Sequence, residues 1–207
     1  MDYSQKEFAK FFDHTLLKAN AREENIRKVA EETIAWKFAS LTINPVWVPF
    51  ASKLLQSYPD IHVNACIGFP LGAISTELKA METKAVVTEG ATEIDMVCNI
   101  AMILDEQWDD VRNDIKAVVE AAGKNQVKVI IETCYLSDDQ KIQMAKIVAE
   151  TGAAFIKTST GFGPAGATVH DVMLLYETVK GKIGVKAAGG IRHFKDALEM
   201  INAGATR

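Results

Sequence analysis

The sequence predicts an α/β protein built around a parallel sheet, and three observations point to that class. Short apolar runs alternate with longer amphipathic segments along the 207 residues. The apolar runs are mostly continuous, which is typical of parallel strands covered on both faces. Most amphipathic segments stop at a glycine, as helices commonly do. Strand and helix repeated in this order form a parallel sheet, either doubly wound or closed into a barrel.

The apolar runs predict seven strands, over residues 12–17, 38–43, 62–69, 92–98, 127–134, 154–160 and 183–189. The amphipathic segments predict helices over residues 22–36, 76–89, 106–122, 138–151, 169–180 and 193–203, with shorter ones at about 3–11 and 46–57. Helix signals support these boundaries. Ser75 precedes one helix and Gly90 follows it, while Ser137 and Gln140 have the spacing of a capping box.

Internal repeats favour a closed barrel over a doubly wound sheet. "EGATEID" and "TGAAFIK" share one frame, in which Asp95 and Lys157 each lie five residues past a glycine. No Gly-x-Gly-x-x-Gly fingerprint follows the first strand, which argues against dinucleotide binding. "AGATR", at 203–207, begins the frame again. We therefore expect a TIM (β/α)8 barrel, truncated before its eighth strand, that forms one domain over residues 1–207.

Composition and charge argue against several kinds of partner. Hydrophobic residues make up 48% and charged residues 24%, as in ordinary globular proteins. The net charge is -4 with no basic stripe, so nucleic acid is not expected to bind. No apolar run is long enough to span a membrane. The number of cysteines is odd, which predicts free thiols in a reducing cytoplasm. All three lie in apolar runs, which predicts small buried side chains: Cys66, Cys98 and Cys134.

Charged residues inside the predicted strands indicate a functional site. Asp95, Glu132, Lys157 and Lys186 lie in the C-terminal halves of their strands, and Lys128 lies at the start of its own. Barrel active sites lie at the C-terminal ends of the strands. A single buried lysine is more often part of a structural ion pair. Several charges in similar positions favour a shared polar cavity, because an unpaired buried ion is costly.

Lys157 and Lys186 form the natural catalytic pair in this cavity. Each ammonium disfavours charge on the other, and burial acts in the same direction. One of the two lysines can therefore be a neutral amine near pH 7, with its pKa lowered to about 7–8, and a neutral amine can attack a carbonyl and form a Schiff base. Asp95 is the candidate proton carrier beside them.

Other chemistries receive less support from the sequence. The four histidines, at positions 14, 62, 170 and 193, form no metal-binding pattern, so no metal is expected. A serine nucleophile is not supported either, because the Gly-x-Ser-x-Gly motif is absent.

Glycine-rich loops follow the sixth and seventh predicted strands. Gly189 and Gly190 would let backbone N–H groups and the start of the next helix approach a phosphate, although a tight turn alone would also need glycine. The loop "TGFGPAGAT" at 160–168 is expected to form the cavity rim.

Seven motifs resemble those of the deoxyribose-phosphate aldolase family. They are "FFDHTLLK", "INP", "IGFPLGA", "EIDMV", "VKVIIETC", "FIKTSTGF" and "VKAAGGIR", and they follow the family's order over nearly the whole chain. The pairing of "KTSTGF" with "VKAAGGIR" is the most specific of these signals.

The resemblance implies a TIM barrel that cleaves 2-deoxy-D-ribose 5-phosphate to D-glyceraldehyde 3-phosphate and acetaldehyde without a cofactor. It implies that Lys157 forms the Schiff base and that Asp95 and Lys186 transfer protons. We therefore expect Lys186 to keep the amine of Lys157 unprotonated. The other positions it implies are secondary active-site residues, Asp13 and Lys128, and substrate or phosphate-binding residues, Thr158, Gly161, Gly189 and Gly190. A homodimer is left open. The alternatives are another phosphate-binding barrel, such as a sugar-phosphate isomerase, and a non-catalytic truncated barrel.

Overall fold

Seven strands form one parallel sheet in a computed structural model of the chain, which describes residues 3–207. The strands are β1 (Asp13–Leu16), β2 (Ser40–Ile43), β3 (His62–Ile67), β4 (Glu93–Val97), β5 (Gln126–Ile130), β6 (Phe155–Lys157) and β7 (Gly184–Lys186). Their spatial order follows the chain, and each strand pairs with the next. All seven predicted strands are therefore present.

The sheet curls until its two outer strands face each other. Lys186 Nζ on β7 lies 3.2 Å from Asp13 Oδ2 on β1. In a flat sheet these strands would be about 29 Å apart, six spacings of roughly 4.8 Å. Beside β7, Thr206 N donates to Val185 O (2.9 Å) and Ala187 N donates to Arg207 O (3.2 Å), as neighbouring parallel strands do. The fold is thus a TIM-type α/β barrel with seven strands in the part described.

Helices cover the outside of the sheet. They are α1 (Gln5–Ala9), α2 (Glu23–Trp36), α3 (Val48–Leu55), α4 (Thr76–Thr88), α5 (Ile100–Leu104), α6 (Trp108–Ala122), α7 (Asp138–Glu150), α8 (Val169–Val179) and α9 (Phe194–Asn202). The predicted caps are confirmed, since Ser75 Oγ accepts from Leu78 N and Ser137 forms a capping box with Gln140. Only α5 was not predicted, because five apolar residues are too few to show a helical period.

Several strands are shorter than predicted at their C-terminal ends. β5 ends at Ile130, and Thr133–Tyr135 form a 3₁₀ turn in a stretch predicted as strand up to residue 134. The intervening Glu132 has left-handed backbone, with φ 51°. Ile131, Glu132 and Thr133 remain buried past the end of the strand, so burial and apolar character in the sequence could not reveal where strand pairing stops.

Successive residues of each strand alternate between the two faces of the sheet. The nearly continuous apolar runs in the sequence did not show this alternation. One set, including Leu41, Val63 and Ile94, packs in the hydrophobic core beneath the helices. The other set points into the barrel and is mostly polar. Its buried members include Ser40, Thr42, Asn64, Glu93, Asp95, Lys128, Lys157 and Lys186. The interior of the barrel is therefore a polar site, while the hydrophobic core lies between sheet and helices.

The three cysteines are free, and Cys66 and Cys98 are buried as expected. Cys134 departs from that expectation, because it is half-buried in the 3₁₀ turn rather than in a strand. No helix within residues 3–207 is long and apolar enough to cross a membrane.

Candidate active site

The charged residues of four strands lie at the same distance along the chain from the glycine at the end of the preceding helix. Lys128 and Lys186, like Asp95 and Lys157, each lie five residues past a glycine that follows a helix. The strands are not level with one another, however. Asp95 pairs with Lys128 and Lys157 with Lys186, whereas Lys128 pairs with Phe155. This stagger of a barrel sheet raises Lys157 and Lys186 two residues toward the mouth.

Ion pairs join seven buried or nearly buried side chains inside the barrel, here called the central cluster. Its members are Asp13, Glu93, Asp95, Lys128, Lys157, Lys186 and Arg207. The cluster therefore contains three carboxylates and four potential cations.

Asp95 lies at the centre of these contacts. Lys157 Nζ donates to Asp95 Oδ2 at 2.5 Å, and Lys128 Nζ donates to Asp95 Oδ1 at 3.0 Å. Lys128 also donates to Glu93 Oε2 at 2.6 Å. Although burial opposes its charge, the attraction of Lys128 and Lys157 lowers the pKa of Asp95 to about 2. Asp95 is consequently a carboxylate at neutral pH.

Asp13 forms the second point of contact, at the other side of the cluster. Arg207 Nε donates to Asp13 Oδ1 at 2.7 Å, and Lys186 Nζ lies 3.2 Å from Oδ2. Burial opposes the charge of Asp13, but Lys186, Lys128 and Arg207 together hold its pKa well below the usual range. Burial also opposes the charge of Lys128, whose pKa is nevertheless raised by its carboxylate neighbours.

The pKa values of the two candidate catalytic lysines, Lys157 and Lys186, are shifted in opposite directions, and Lys186 has the lowered pKa that was expected for Lys157. Burial lowers the pKa of Lys157, but the adjacent Asp95 more than offsets this and leaves it raised. Burial also lowers the pKa of Lys186, and attraction to Asp13 does not restore it against repulsion from Lys157 and Lys128. The expectation of a neutral Lys157 in the free protein is therefore wrong, because it omitted the carboxylate within contact distance.

A cavity of about 490 Å³ opens above the cluster. Six of the predicted site residues line it: Asp13, Lys157, Gly161, Lys186, Gly189 and Gly190. Asp95 and Lys128 lie beneath it, in contact with lysines and carboxylates of the cluster. Thr158 is buried beside it, where its hydroxyl bonds to the backbone of Ala188. Contact of Thr158 with a substrate stays a prediction.

The loops after β6 and β7 join at the cavity. Ala167 N donates to Ala188 O (2.9 Å) and to Gly189 O (3.1 Å). A side chain at Gly189 would approach Gly166 Cα to 2.9 Å, and its φ of 82° also favours glycine. Within residues 3–207, no acceptor takes the N–H of Gly189 or Gly190. Both groups are thus available to an anion.

The start of α9 is less open to a ligand than the sequence suggested. Asp196 Oδ2 accepts hydrogen bonds from Arg192 N and His193 N, both at 3.0 Å. These bonds lower the pKa of the Asp196 carboxyl. Part of the expected helix-end phosphate site is therefore occupied by a side chain of the same helix, and the glycine N–H groups remain.

Sequence reasoning missed Glu93 and Arg207, which complete the central cluster. Arg207 donates through Nη2 to Glu93 at 2.8 Å. Both lie three residues past a glycine of the repeat frame, and Glu93 lies on the same side of its strand as Asp95, two residues further on. Glu132 was placed with the cluster but does not join it, because its carboxylate bonds to Thr160 instead.

One group of side chains among residues 3–207 has the spacing of metal ligands, namely Asp138, His170 and Asp171 on α7 and α8. Lys141 Nζ already lies 3.0 Å from Asp138 and 2.7 Å from Asp171. None of these residues lines the cavity.

The geometry supports carbonyl chemistry at an amine. Lys157 and Lys186 emerge side by side into the cavity, and a carboxylate below Lys157 can stabilise a positive charge on its nitrogen.

Comparison with known proteins gives a consistent result. The model of the DeoC/LacD family aldolases matches residues 8–206. The deoxyribose-phosphate aldolase of Clostridium tetani is 52% identical over 202 residues, which are 97% of this chain and 93% of that protein. That of Carboxydothermus hydrogenoformans is 52% identical over 208 residues, 99% of this chain and 91% of its own.

Solved structures agree. The tetrameric deoxyribose-phosphate aldolase of Aeropyrum pernix superposes with a TM-score of 0.91 at 32% identity, covering 98% of this chain and 86% of that one. An aldolase designated QR15 gives a TM-score of 0.93 at 36% identity, covering 97% and 90%. This chain belongs to the DeoC/LacD family of aldolases.

Proposed function

We propose that this chain is a deoxyribose-phosphate aldolase, an aldehyde-lyase that forms a Schiff base on Lys157. It cleaves 2-deoxy-D-ribose 5-phosphate reversibly to D-glyceraldehyde 3-phosphate and acetaldehyde. The observation that carries this proposal is the position of Lys157, which lines the cavity while Asp95 contacts its Nζ at 2.5 Å. Its membership of an aldolase family supports the reaction class.

Proton transfer begins with the two lysines. Lys186, whose pKa is lowered chiefly by burial, has a neutral amine more often than an ordinary lysine. It accepts a proton from the Lys157 ammonium, which frees the Lys157 lone pair to attack C1 of the substrate. The carbinolamine then loses water to give an iminium cation. Asp95 stabilises that cation as it stabilised the ammonium.

Cleavage follows from the electron demand of the iminium. The C3 hydroxyl loses its proton, the C2–C3 bond breaks, and its electron pair passes into an enamine on Lys157. Glyceraldehyde 3-phosphate leaves with a new C3 carbonyl. The enamine takes a proton at carbon, and water hydrolyses the resulting iminium to acetaldehyde and free Lys157. Asp95 and Lys186 move these protons, while Asp13 and Lys128 hold them in place. Gly161, Gly189 and Gly190 receive the phosphate end, with Thr158 beside them.

Trapping the intermediate tests this function. The protein is incubated with acetaldehyde and sodium borohydride, digested, and mapped by mass spectrometry. We expect one ethyl group on Lys157, together with cleavage of deoxyribose 5-phosphate by the untreated protein. A sugar-phosphate isomerase or a non-catalytic barrel would bind a phosphosugar without forming this adduct. An ethyl group on another buried lysine, or no adduct, would contradict the assignment.

The remaining expectations belong to the same proposal. The chain acts in the cytoplasm as one domain over residues 1–207. We favour a homodimer, and a surface of exposed apolar side chains on and before α4 supports it: Leu71, Ile74, Leu78 and Met81. Light scattering after size-exclusion chromatography measures the oligomeric state directly.

A further inference from the structure

Glu132 is a buried carboxylate that the central cluster does not use. It follows β5 in a left-handed conformation (φ 51°), which is uncommon for a residue other than glycine, and it is only 4% exposed. No lysine, arginine or histidine in residues 3–207 lies within 4.0 Å of its carboxylate oxygens. A buried carboxylate held in this way must be satisfied by neutral donors, and their identity indicates its role.

One neutral donor is the thiol of Cys134, whose Sγ lies 4.0 Å from Glu132 Oε1. The other donors lie in the loop after β6. Thr160 N donates to both oxygens of Glu132, at 3.2 and 3.3 Å, and Thr160 Oγ1 donates to Oε2. Thr160 Oγ1 also accepts a hydrogen bond from Phe162 N at 3.0 Å. At Gly163, an added Cβ would lie 3.1 Å from Glu132 Cδ. The Glu132 carboxylate therefore holds the turn over residues 160–163 in place.

This turn forms part of the cavity wall. Thr160, Gly161 and Phe162 line the cavity that contains Lys157. The Phe162 ring also packs edge-on against Phe69, with ring centroids 5.2 Å apart. Phe69 follows β3, and two strands separate β3 from β6 in the sheet. The position of the turn thus determines both the shape of the cavity and the contact between two distant loops.

We propose that Glu132 is a positioning residue for the sugar-phosphate substrate, acting through Thr160. This inference rests on the proposed function. Glu132 holds the turn so that residues 160–162 meet the part of the substrate that extends from Lys157 toward the mouth. A carboxylate suits this task because its two oxygens accept from the N–H and O–H of one threonine at once. Glu132 itself does not line the cavity, so it does not contact the reacting atoms.

Two substitutions separate positioning from chemistry. In Glu132→Gln the amide keeps a single oxygen acceptor, and we expect KM for deoxyribose 5-phosphate to rise about tenfold with a smaller change in kcat. In Glu132→Ala both bonds are lost, and kcat/KM falls about 100-fold, as expected for a misplaced substrate. The rate of borohydride trapping with acetaldehyde stays at the wild-type value in both, because acetaldehyde reaches Lys157 without spanning the cavity.

Matched variants control for nonspecific effects. Glu177→Gln makes the same chemical change on the exposed side of α8 and leaves all rates unchanged. Thr160→Val combined with Glu132→Gln costs less in KM than the sum of the two single changes, because both weaken the same bond from the Thr160 hydroxyl to Glu132. A strictly additive loss, or an Ala variant with wild-type KM, would overturn the proposal. So would an Ala variant that loses acetaldehyde trapping in parallel.

Hydrogen exchange in the free protein keeps this test independent of catalysis. Glu132→Ala accelerates exchange of the backbone amides of residues 160–163, while exchange in β6 remains slow. Unchanged loop exchange contradicts the inference even if activity falls. A wild-type protein that binds but never cleaves deoxyribose 5-phosphate would refute the proposed function, and loop exchange would still decide the role of Glu132.

Discussion

The barrel interior and the contact between α4 and α6 each contain a buried lysine paired with a carboxylate, yet only one pair belongs to a site. Lys157 Nζ lies 2.5 Å from Asp95, and Lys79 Nζ lies 2.6 Å from Asp114. Asp114 also accepts a hydrogen bond from Thr76 at 3.0 Å. The helix pair has one cation for one anion and does not line the cavity described above. The two charges therefore compensate each other within the pair.

The Lys157–Asp95 pair in the barrel differs from the helix pair in charge balance and in access to the cavity. Asp95 is shared with Lys128, and the central cluster has four potential cations for three carboxylates. One lysine therefore cannot be fully compensated, and Lys186 is the one whose pKa falls. Both Lys157 and Lys186 also line the cavity. Excess charge of one sign together with access to a ligand, rather than burial of charge alone, distinguishes the proposed catalytic pair from the helix pair.

The strongest test of this distinction is Lys157→Leu. Loss of the proposed Schiff-base amine should reduce cleavage by at least about 10⁴-fold and remove the borohydride adduct. The folded state should be kept, because Asp95 retains Lys128 at 3.0 Å and Lys186 can take up the missing charge. Steady-state rates and thermal melting measure the two effects. Substantial remaining turnover would mean that another amine performs the reaction.

Lys186→Leu should have the next largest effect, lowering kcat by about 10²- to 10⁴-fold as expected for a lost proton acceptor. In the wild type, activity rises with pH as Lys186 loses its proton, at a lower pH than an ordinary lysine because burial lowers its pKa. In the variant, Lys157 must lose its proton directly. Since Asp95 raises the pKa of Lys157, the remaining rate should continue to rise into more alkaline solution. An unshifted pH–rate profile would exclude Lys186 as the proton acceptor.

Asp114→Asn should change stability rather than catalysis. It leaves Lys79 buried without its carboxylate, which typically costs about 3–5 kcal/mol in the free energy of unfolding. Replacing both partners, as in Lys79→Met with Asp114→Leu, should restore most of that loss. Urea unfolding measures the stability, and kcat of the folded protein should match the wild type in each case. A fall in kcat without a loss of stability would show that the two regions are coupled.

The smallest effects are expected at the paired glycines. Gly190→Ala meets no atom within 4 Å, so it adds only the cost of a left-handed alanine, about 1–2 kcal/mol. Gly189→Ala adds a clash with Gly166 and should be more destabilising. Inorganic phosphate should inhibit both variants more weakly than the wild type if these N–H groups bind the anion. Equal inhibition of all three proteins would place the phosphate elsewhere.

Local sequence signals predicted much of the fold. Glycine stops, serine caps and apolar runs placed all seven strands and most helices near their observed bounds. Two kinds of feature escaped. The strand ends were placed too late, because the first residues past several strands, such as Ile131, Thr158 and Ala187, are as buried as the strands themselves. The inward polar face was read as part of continuous apolar runs, although residues such as Ser40, Thr42 and Asn64 already alternate along the chain.

The sequence by itself determined that this is an α/β barrel of an aldolase family and that Asp95, Lys157 and Lys186 point into it. The spacing of these residues from a preceding glycine can be measured in the sequence without knowledge of the fold. Only the tertiary structure decided which charges touch. The stagger between β5 and β6 sets Lys157 above Asp95, and curling of the sheet brings Asp13 to Lys186. Because electrostatic energies depend on distances of a few ångström, that arrangement alone settles which lysine is the more easily neutralised.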